Sequence, residues 1–209
     1  MLEDVEQLAI NHIIYRLANP PRIRAALADL STSLEEVLET IDFLGLQSAE
    51  DAASLLDTPF REDTAYRQPP TRFSDGSWRV FYSALEPETA ERERAHWCRK
   101  EAQSRPPTSR RFHYRELRCR LDGNGYDLRP KHADWPFLTG DTTYPPCQAL
   151  AREAKEAGAT AILSPSARRS GGTTAPVFVR QILSAATILS LVVIEIEASG
   201  ETRVIRPSP

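Results

Sequence analysis

The hydrophobic positions of the N-terminal third follow a helical spacing in one part and a strand-like pattern in another. Ser33 and Glu36 form a capping box, after which apolar residues recur at helical spacing. The segment HIIYRL is short and rich in β-branched and aromatic residues, which is typical of a strand. Residues 1–70 are therefore predicted to be mostly helical, with a strand over His12–Leu17, a helix after Ser33 and a short helix from Ser48 to Leu56.

The rest of the chain alternates between helical and strand-like segments. Pro87 suits the first turn of a helix because its missing amide proton has no partner there. The sequence Asp-Gly-Asn-Gly at 122–125 predicts a tight turn after a strand. Because the elements have no regular βαβ rhythm, the predicted fold class is α+β, in one domain over 1–209 with its core at 71–209. The predicted helices are 87–103 and 145–157, and the predicted strands are 78–84, 112–121, 159–163, 177–183, 188–196 and 202–205.

Composition limits the classes of function. The net charge of −3 over 209 residues excludes a chain-wide basic surface, so we expect no direct nucleic-acid binding. The N-terminus has no signal-peptide pattern, and the apolar tract at 182–196 is too short and too interrupted to span a membrane. Cysteines are few and form no Cys-x-x-Cys pair, which favours a reducing cytoplasm over a zinc or disulfide framework. They are Cys98, Cys119 and Cys147.

The common nucleotide, metal and hydrolase signatures are absent from the sequence. It contains no G-x-G-x-x-G, G-x-x-x-x-G-K-[ST], H-E-x-x-H or G-x-S-x-G motif. The four histidines have no metal-ligand spacing, so we expect no metal cofactor. A site in this chain must therefore be sought in a less general pattern.

The segment Thr71–Trp97 carries the strongest candidate for a site. It places Arg72 on a loop, Tyr82 on a strand, and Glu93 on a helix face shared with Trp97. From these residues alone two interpretations stay open. Glu93 is either a catalytic carboxylate or half of a buried ion pair with Arg72, with Tyr82 in the core. The neighbouring charges are expected on the solvated side of the helix: Glu91, Arg92 and Arg94.

Several motifs, in the same order along the chain, resemble those of RES-domain proteins, a family named for Arg, Glu and Ser residues in its active site. The first half contains Tyr15-Arg16, RFSDGS at 72–77, Phe81-Tyr82, ETA at 88–90, Glu93 and His96. The second half contains Tyr144, QALA at 148–151, GATAIL at 158–163, PSAR at 165–168 and Gly171-Gly172. The resemblance thus extends over nearly the whole chain.

This resemblance implies an ADP-ribosyltransferase-like fold, with a central bent or split β-sheet flanked by helices, and NAD as the substrate. Of the two serines in Ser164-Pro165-Ser166, Ser166 is preferred because Pro165 precedes it and Arg168 follows. A carboxylate suits the positive charge that develops on the ribose, and arginine suits phosphate. The implied catalytic residues are Arg72, Tyr82, Glu93 and Ser166, and the implied NAD-binding residues are Arg16, Gln148 and Arg168.

The activity implied by the resemblance is that of an NAD-consuming toxin. Such an enzyme cleaves the nicotinamide–ribosyl bond by hydrolysis or phosphorolysis, and its protein partner is a cognate Xre-like antitoxin. A protein ADP-ribosyltransferase and a non-catalytic binding module with the same fold remain as alternatives. The sequence leaves open whether water, phosphate or a protein side chain accepts the ADP-ribose, and gives no role to the loops at 104–111 and 133–143.

Overall fold

The computed structural model describes residues 1–19, 49–61, 69–140 and 144–206. These residues form a mixed sheet with helices against it, so the predicted α+β class is confirmed. The strands are β1 (Gln7–Ala18), β2 (Phe81–Ala84), β3 (Arg110–Asp127), β4 (Ala161–Pro165), β5 (Thr173–Val177), β6 (Leu183–Ile196) and β7 (Thr202–Ile205). The α-helices are α1 (Ala49–Asp57), α2 (Pro87–Gln103) and α3 (Pro145–Glu156), and single 3-10 turns lie at Thr58–Phe60, Arg129–Lys131, Pro136–Leu138 and Arg180–Ile182.

Five of the strands close into a ring. The hydrogen-bonded order is β1-β2-β5-β4-β3, and β3 pairs again with β1, while β6 and β7 extend the sheet from β3. All of these pairings are antiparallel except the parallel pair of β3 and β4. The sheet predicted to be bent or split therefore closes on itself among the described strands. The likeness to the ADP-ribosyltransferase fold stays a prediction.

Strand β3 is longer than predicted, and the tight turn expected at 122–125 is wrong. Those residues continue the strand, because β1 pairs with β3 from Ala18↔Arg115 to Gln7↔Tyr126. The two glycines there serve close packing rather than a turn. A Cβ on Gly125 would lie 1.9 Å from the carbonyl oxygen of Ala161 on β4, so only glycine lets the two backbones approach this closely.

Four other predicted strands have the wrong limits. The strand expected at 159–163 lies two residues later, as β4, because its pairing extends from Gly125↔Ala161 on β3 to Pro165↔Thr173 on β5. The strand expected at 188–196 begins earlier, at Leu183, because its pairing with β3 continues to Leu121↔Leu183.

The other two strands lose part of their predicted length. The strand expected at 177–183 is the end of β5, a 3-10 turn and the start of β6, with Arg180 donating to the carbonyl of Leu183 at the turn. The strand expected at 78–84 begins only at Phe81, because Trp78 is held in the preceding loop by its own side chain and carbonyl. Its Nε1 donates to the Phe73 carbonyl, and its carbonyl accepts from Ser74 Oγ.

The N-terminal part contains the predicted strand in a longer form. β1 extends over 12 residues instead of the predicted six because its pairing with β3 continues beyond the apolar segment. The short helix predicted from Ser48 is present as α1. The capping-box helix after Ser33 lies outside the described residues, so a mostly helical 1–70 stays a prediction.

Each α-helix packs on its own group of buried side chains. α1 contributes Leu55 and Leu56 to a cluster with residues of the strand ring, such as Leu117. α3 contributes Leu150 to a second cluster, and α2 contributes Cys98 to a third under β6. The three clusters hold the helices around the ring. Within the described part of the chain, no helix combines the length and the apolar character needed to cross a membrane.

The contact between β3 and β4 predicts a large penalty for a single methyl group. Gly125→Ala forces the added Cβ against the backbone of β4, so it is expected to lower the free energy of unfolding by about 1–3 kcal/mol. Gly140→Ala is the matched control, because its nearest neighbouring atom would lie at 3.7 Å, an ordinary contact. Urea unfolding measures both, and equal stabilities of the two variants would contradict the assigned register.

Candidate active site

A cleft of about 290 Å³ opens where β1, β2, α2 and the loop after β4 meet. Positive charge predominates in the cleft. The described residues that line it include four arginines and a single carboxylate, Glu93. Guanidinium groups bind anions such as phosphate, and a carboxylate can stabilise a positive charge that develops nearby. The residues lining the cleft are Arg16, Leu17, Asn19, Pro69, Thr71, Arg72, Phe73, Tyr82, Ser83, Ala90, Glu93, Arg94, His96, Trp97, Tyr144, Pro165, Ala167, Arg168 and Thr174.

Glu93 is fixed by a short hydrogen bond from Ser166, whose Oγ lies 2.6 Å from Glu93 Oε1. The same hydroxyl accepts from the backbone amides of Arg168 at 3.0 Å and Arg169 at 3.1 Å. A hydroxyl has one proton and two lone pairs, so these three bonds use its full capacity. Ser166 is also buried, with 7% of its surface exposed. In this arrangement the hydroxyl orients Glu93 and has no bond left for a ligand.

The paired glycines after Ser166 let its loop reach α2. Gly171 has φ +72°, which favours glycine, and the Ser166 amide donates to the carbonyl of Gly172. A Cβ on Gly172 would lie 2.4 Å from Thr89 Oγ1 in the first turn of α2. Thr89 is completely buried there. Close packing of the loop on α2 therefore sets the distance between Ser166 and Glu93.

Tyr82 holds the loop that carries Arg72. Its hydroxyl is hydrogen-bonded to Thr71 Oγ1 and accepts from the Phe73 amide at 2.8 Å. Desolvation by the surrounding protein raises the pKa of Tyr82 well above its ordinary value, so the phenol stays protonated and does not act as a base. On the other side of the loop, Gln148 Nε2 donates to the carbonyls of Thr71 and Ser74.

The arginines of the cleft are positioned by backbone carbonyls and aromatic rings. Arg72 Nη1 donates to the Gly140 carbonyl at 2.9 Å, and its guanidinium stacks on the ring of Tyr144. Arg16 Nη1 donates to the Tyr82 carbonyl at 2.7 Å, and its guanidinium lies over the ring of Phe81. Such contacts fix each guanidinium plane in advance, which suits bidentate recognition of phosphate.

The structure brings most of the predicted site residues to one cleft. Arg16, Arg72, Tyr82, Glu93 and Arg168 line it. Ser166 lies behind Glu93, and Gln148 lies under the Arg72 loop without lining the cleft. Whether these residues act on NAD stays a prediction.

The alternative of a buried ion pair between Arg72 and Glu93 does not describe this arrangement. These two described residues bond to separate partners, the 137–140 segment for Arg72 and Ser166 for Glu93. The expectation for the charges flanking Glu93 is only partly right. Arg92 is exposed, but Glu91 has only 12% of its side chain exposed and pairs with Arg206. Arg94 lines the cleft and donates to the carbonyl of Leu17.

Sequence reasoning missed three other cleft residues as site components. Arg94 follows Glu93 directly, but only the position of β1 beneath α2 turns its side chain towards the cleft. Tyr144 and His96 were noted only as family motifs, and both line the cleft. No group of three or more His, Cys, Asp or Glu residues that could hold a metal ion is found within 1–19, 49–61, 69–140 and 144–206.

Comparison of the chain with models of known protein families gives a match over most of its length. The family model described as the RES domain matches residues 46–191, which is 146 of the 209 residues. The chain is a RES-domain protein. The matched part of this RES-domain protein includes Arg72, Tyr82, Glu93 and Ser166, whereas β1 with Arg16 and β7 lie outside it. The RES domain is associated with NAD-related toxin function and with antitoxin partners. No curated protein matches the chain.

The hydrogen bonds of Tyr82 lead to two predictions for Tyr82→Phe. The variant is less stable at neutral pH, and its free energy of unfolding falls less than that of the wild type as the pH becomes alkaline. Removal of the hydroxyl leaves the Phe73 amide without this acceptor and is expected to cost about 1 kcal/mol at neutral pH. Because burial raises the pKa of Tyr82 above its unfolded value near 10, its contribution to stability is present below pH 10 and is lost as pH rises further.

Unfolding of the Tyr82→Phe variant followed from pH 8 to about pH 11 should therefore show a smaller loss of stability with pH than the wild type. Tyr15→Phe on β1 is the control, because its hydroxyl donates no hydrogen bond to another described residue. Identical pH profiles for Tyr82→Phe and the wild type would contradict the role assigned to this hydroxyl.

Proposed function

We propose that this RES-domain protein is a toxin that consumes NAD by cleaving its nicotinamide–ribosyl bond. The observation that carries the proposal is Glu93, the single carboxylate among the described residues that line the cleft, which Ser166 holds beside four lining arginines. The association of the RES domain with NAD-related toxin function supports it.

The charge distribution of the cleft suits this reaction. When the bond breaks, nicotinamide leaves with the bonding electron pair as a neutral base, and positive charge develops on the ribosyl carbon. A carboxylate beside that carbon stabilises the transition state more than the ground state. Glycoside cleavage uses carboxylates in the same way. We assign this role to Glu93, with Oε1 held by Ser166 and Oε2 directed to the ribose.

The remaining cleft residues suit the other parts of a dinucleotide. Arg72, Arg16 and Arg168 supply guanidinium groups for the two phosphates. The rings of Tyr82 and Tyr144 offer flat faces for the nicotinamide or the ribose. Ser166 acts through Glu93, and Gln148 acts through the loop of Arg72. The proposal thus gives each predicted residue a role that follows from its contacts.

The link between the RES domain and antitoxins supports a second part of the proposal, a separate antitoxin protein that binds this chain and blocks the activity. Adding the cognate Xre-like antitoxin to the enzyme is expected to stop the release of nicotinamide from NAD. The cytoplasm is the compartment that we propose for both proteins, because NAD is abundant there and the sequence shows no disulfide framework.

Replacement of the carboxylate tests the reaction directly. Glu93→Gln keeps the shape of the side chain but removes its charge, so nicotinamide release from NAD is expected to fall at least about 100-fold. The measurement is chromatographic separation of nicotinamide from NAD after incubation with the purified protein. Glu101→Gln is the matched control, since Glu101 lies on the same helix at the surface, paired with Arg105.

The products separate the alternatives. ADP-ribose or its phosphorylated form indicates cleavage, whereas labelled ADP-ribose on a protein band indicates transfer to protein. No nicotinamide release by the wild type above the level of Glu93→Gln would overturn both enzymatic proposals and favour a binding module.

Replacement of Ser166 tests whether its hydroxyl orients Glu93 or contacts NAD directly. Ser166→Ala removes the donor to Glu93 and is expected to lower kcat about tenfold or more while KM changes little. Ser164→Ala is the control, because the hydroxyl of this other candidate serine has only a 3.4 Å contact to its neighbour's carbonyl. A rise in KM with unchanged kcat would instead place the Ser166 hydroxyl against the substrate.

A further inference from the structure

A second, more polar groove lies beside the cleft, between the outer face of α2 and strand β7. Its volume is about 310 Å³, room for roughly ten water molecules. The described residues lining it are Glu91, Arg92, Ala95, His96, Arg99, Arg168, Thr202 and Val204. Those from α2 recur on one face of the helix. The groove is therefore an extended feature between two elements, not a gap around one side chain.

The described residues that line the groove carry a net positive charge. Arg92, Arg99 and Arg168 line it, against the single carboxylate of Glu91. That carboxylate forms an ion pair with Arg206, which also contacts Glu116 on β3. Arg206 is shared by Glu91 and Glu116 and offsets only one of these two carboxylates. The three lining arginines still outnumber the negative charge that remains.

The position of Arg99 is set by β7. Its Nε and Nη2 both lie within hydrogen-bond distance of Thr202 Oγ1, at 3.3 and 3.1 Å. This contact holds the guanidinium across the groove, near the hydroxyl of Thr202. Guanidinium and hydroxyl groups arranged in this way are donors suited to a phosphate group.

The groove adjoins the cleft through two shared lining residues. His96 and Arg168 line both, and the backbone amide of Arg168 donates to the Ser166 hydroxyl that holds Glu93. One wall, formed by Thr202 and Val204, lies beyond residue 191, where the family match ends. The groove therefore combines a wall from outside the matched RES region with residues that adjoin the catalytic carboxylate.

We propose that this groove is a second anion subsite, which holds a phosphate group next to the NAD cleft. The proposal rests on the proposed function. The phosphate belongs either to the second reactant or to a 2′-phosphorylated form of the dinucleotide. With inorganic phosphate as reactant, one phosphate oxygen bonds to the ribosyl carbon while the carbon–nitrogen bond breaks. Nicotinamide leaves with that electron pair, and no oxidant or reductant is needed.

Binding of inorganic phosphate is the first test, because it does not depend on catalysis. Titration of the purified protein, followed by calorimetry, is expected to show saturable phosphate binding, weakened about tenfold in Arg92→Gln/Arg99→Gln. Arg105→Gln/Arg111→Gln is the charge-matched control, because both side chains are exposed and neither lines the groove. Arg92→Gln alone removes an exposed side chain and covers the case in which the double variant fails to fold.

The kinetic arms identify the source of the phosphate. Faster nicotinamide release from NAD with added phosphate, lost in the double variant, assigns the groove to the second reactant. Faster cleavage of the 2′-phosphorylated dinucleotide than of NAD, lost in the same variant, assigns it to the substrate. Phosphate binding that is unchanged by the double variant would overturn the proposal. So would binding without either kinetic effect in a wild type that does release nicotinamide.

Failure of the proposed function gives a different pattern. Glu93→Gln is expected to bind phosphate as the wild type does, because Glu93 does not line the groove. If the wild type released no nicotinamide but still bound phosphate through Arg92 and Arg99, the enzymatic proposal would fail while the anion subsite remained. A wild type that released nicotinamide but did not bind phosphate would overturn only the subsite.

Discussion

The hydrogen bond between Ser166 and Glu93 joins two parts of the chain that are 73 residues apart. Ser166 also binds the amides of Arg168 and Arg169, so the turn after β4 and the carboxylate on α2 form one unit. This unit depends on close packing at Gly172, where any larger side chain would strike Thr89. The geometry of the cleft therefore rests on a loop whose conformation is set by glycine and on a hydroxyl with all its hydrogen bonds used.

The rest of the fold brings the other side chains to that unit. β1 pairs with β3 along its length and reaches β2 at Tyr15↔Ala84, which places Arg16 beside Tyr82. Tyr82 in turn holds the loop of Arg72 through its hydroxyl. The ring of strands is thus the frame on which three separate segments converge, and α2 lies across it with Glu93 and Arg94 towards the cleft. The electrostatic character of the cleft follows from this convergence and not from any one segment.

Local sequence signals predicted much of this fold, and the errors have a common cause. Pro87 marked the start of α2 correctly, because the preference of proline for a first helical turn depends only on the local backbone. The turn predicted from the Asp-Gly-Asn-Gly sequence was wrong, because the pairing of β3 with β1 and β4 overrides the local preference for a turn. In the site, the residues of Thr71–Trp97 were found by their resemblance to a family. The role of Ser166 towards Glu93 and the side chain of Arg94 were not predictable, since both depend on long-range packing.

We propose above all that Glu93 lies beside the ribosyl carbon of NAD in an arginine-lined cleft. A crystal structure of the Glu93→Gln variant with NAD tests this placement most directly, because the slowed reaction preserves the substrate. We expect the nicotinamide ribose against residue 93 and the phosphates among Arg16, Arg72 and Arg168. NAD bound elsewhere, or bound with its ribose away from residue 93, would contradict the claim.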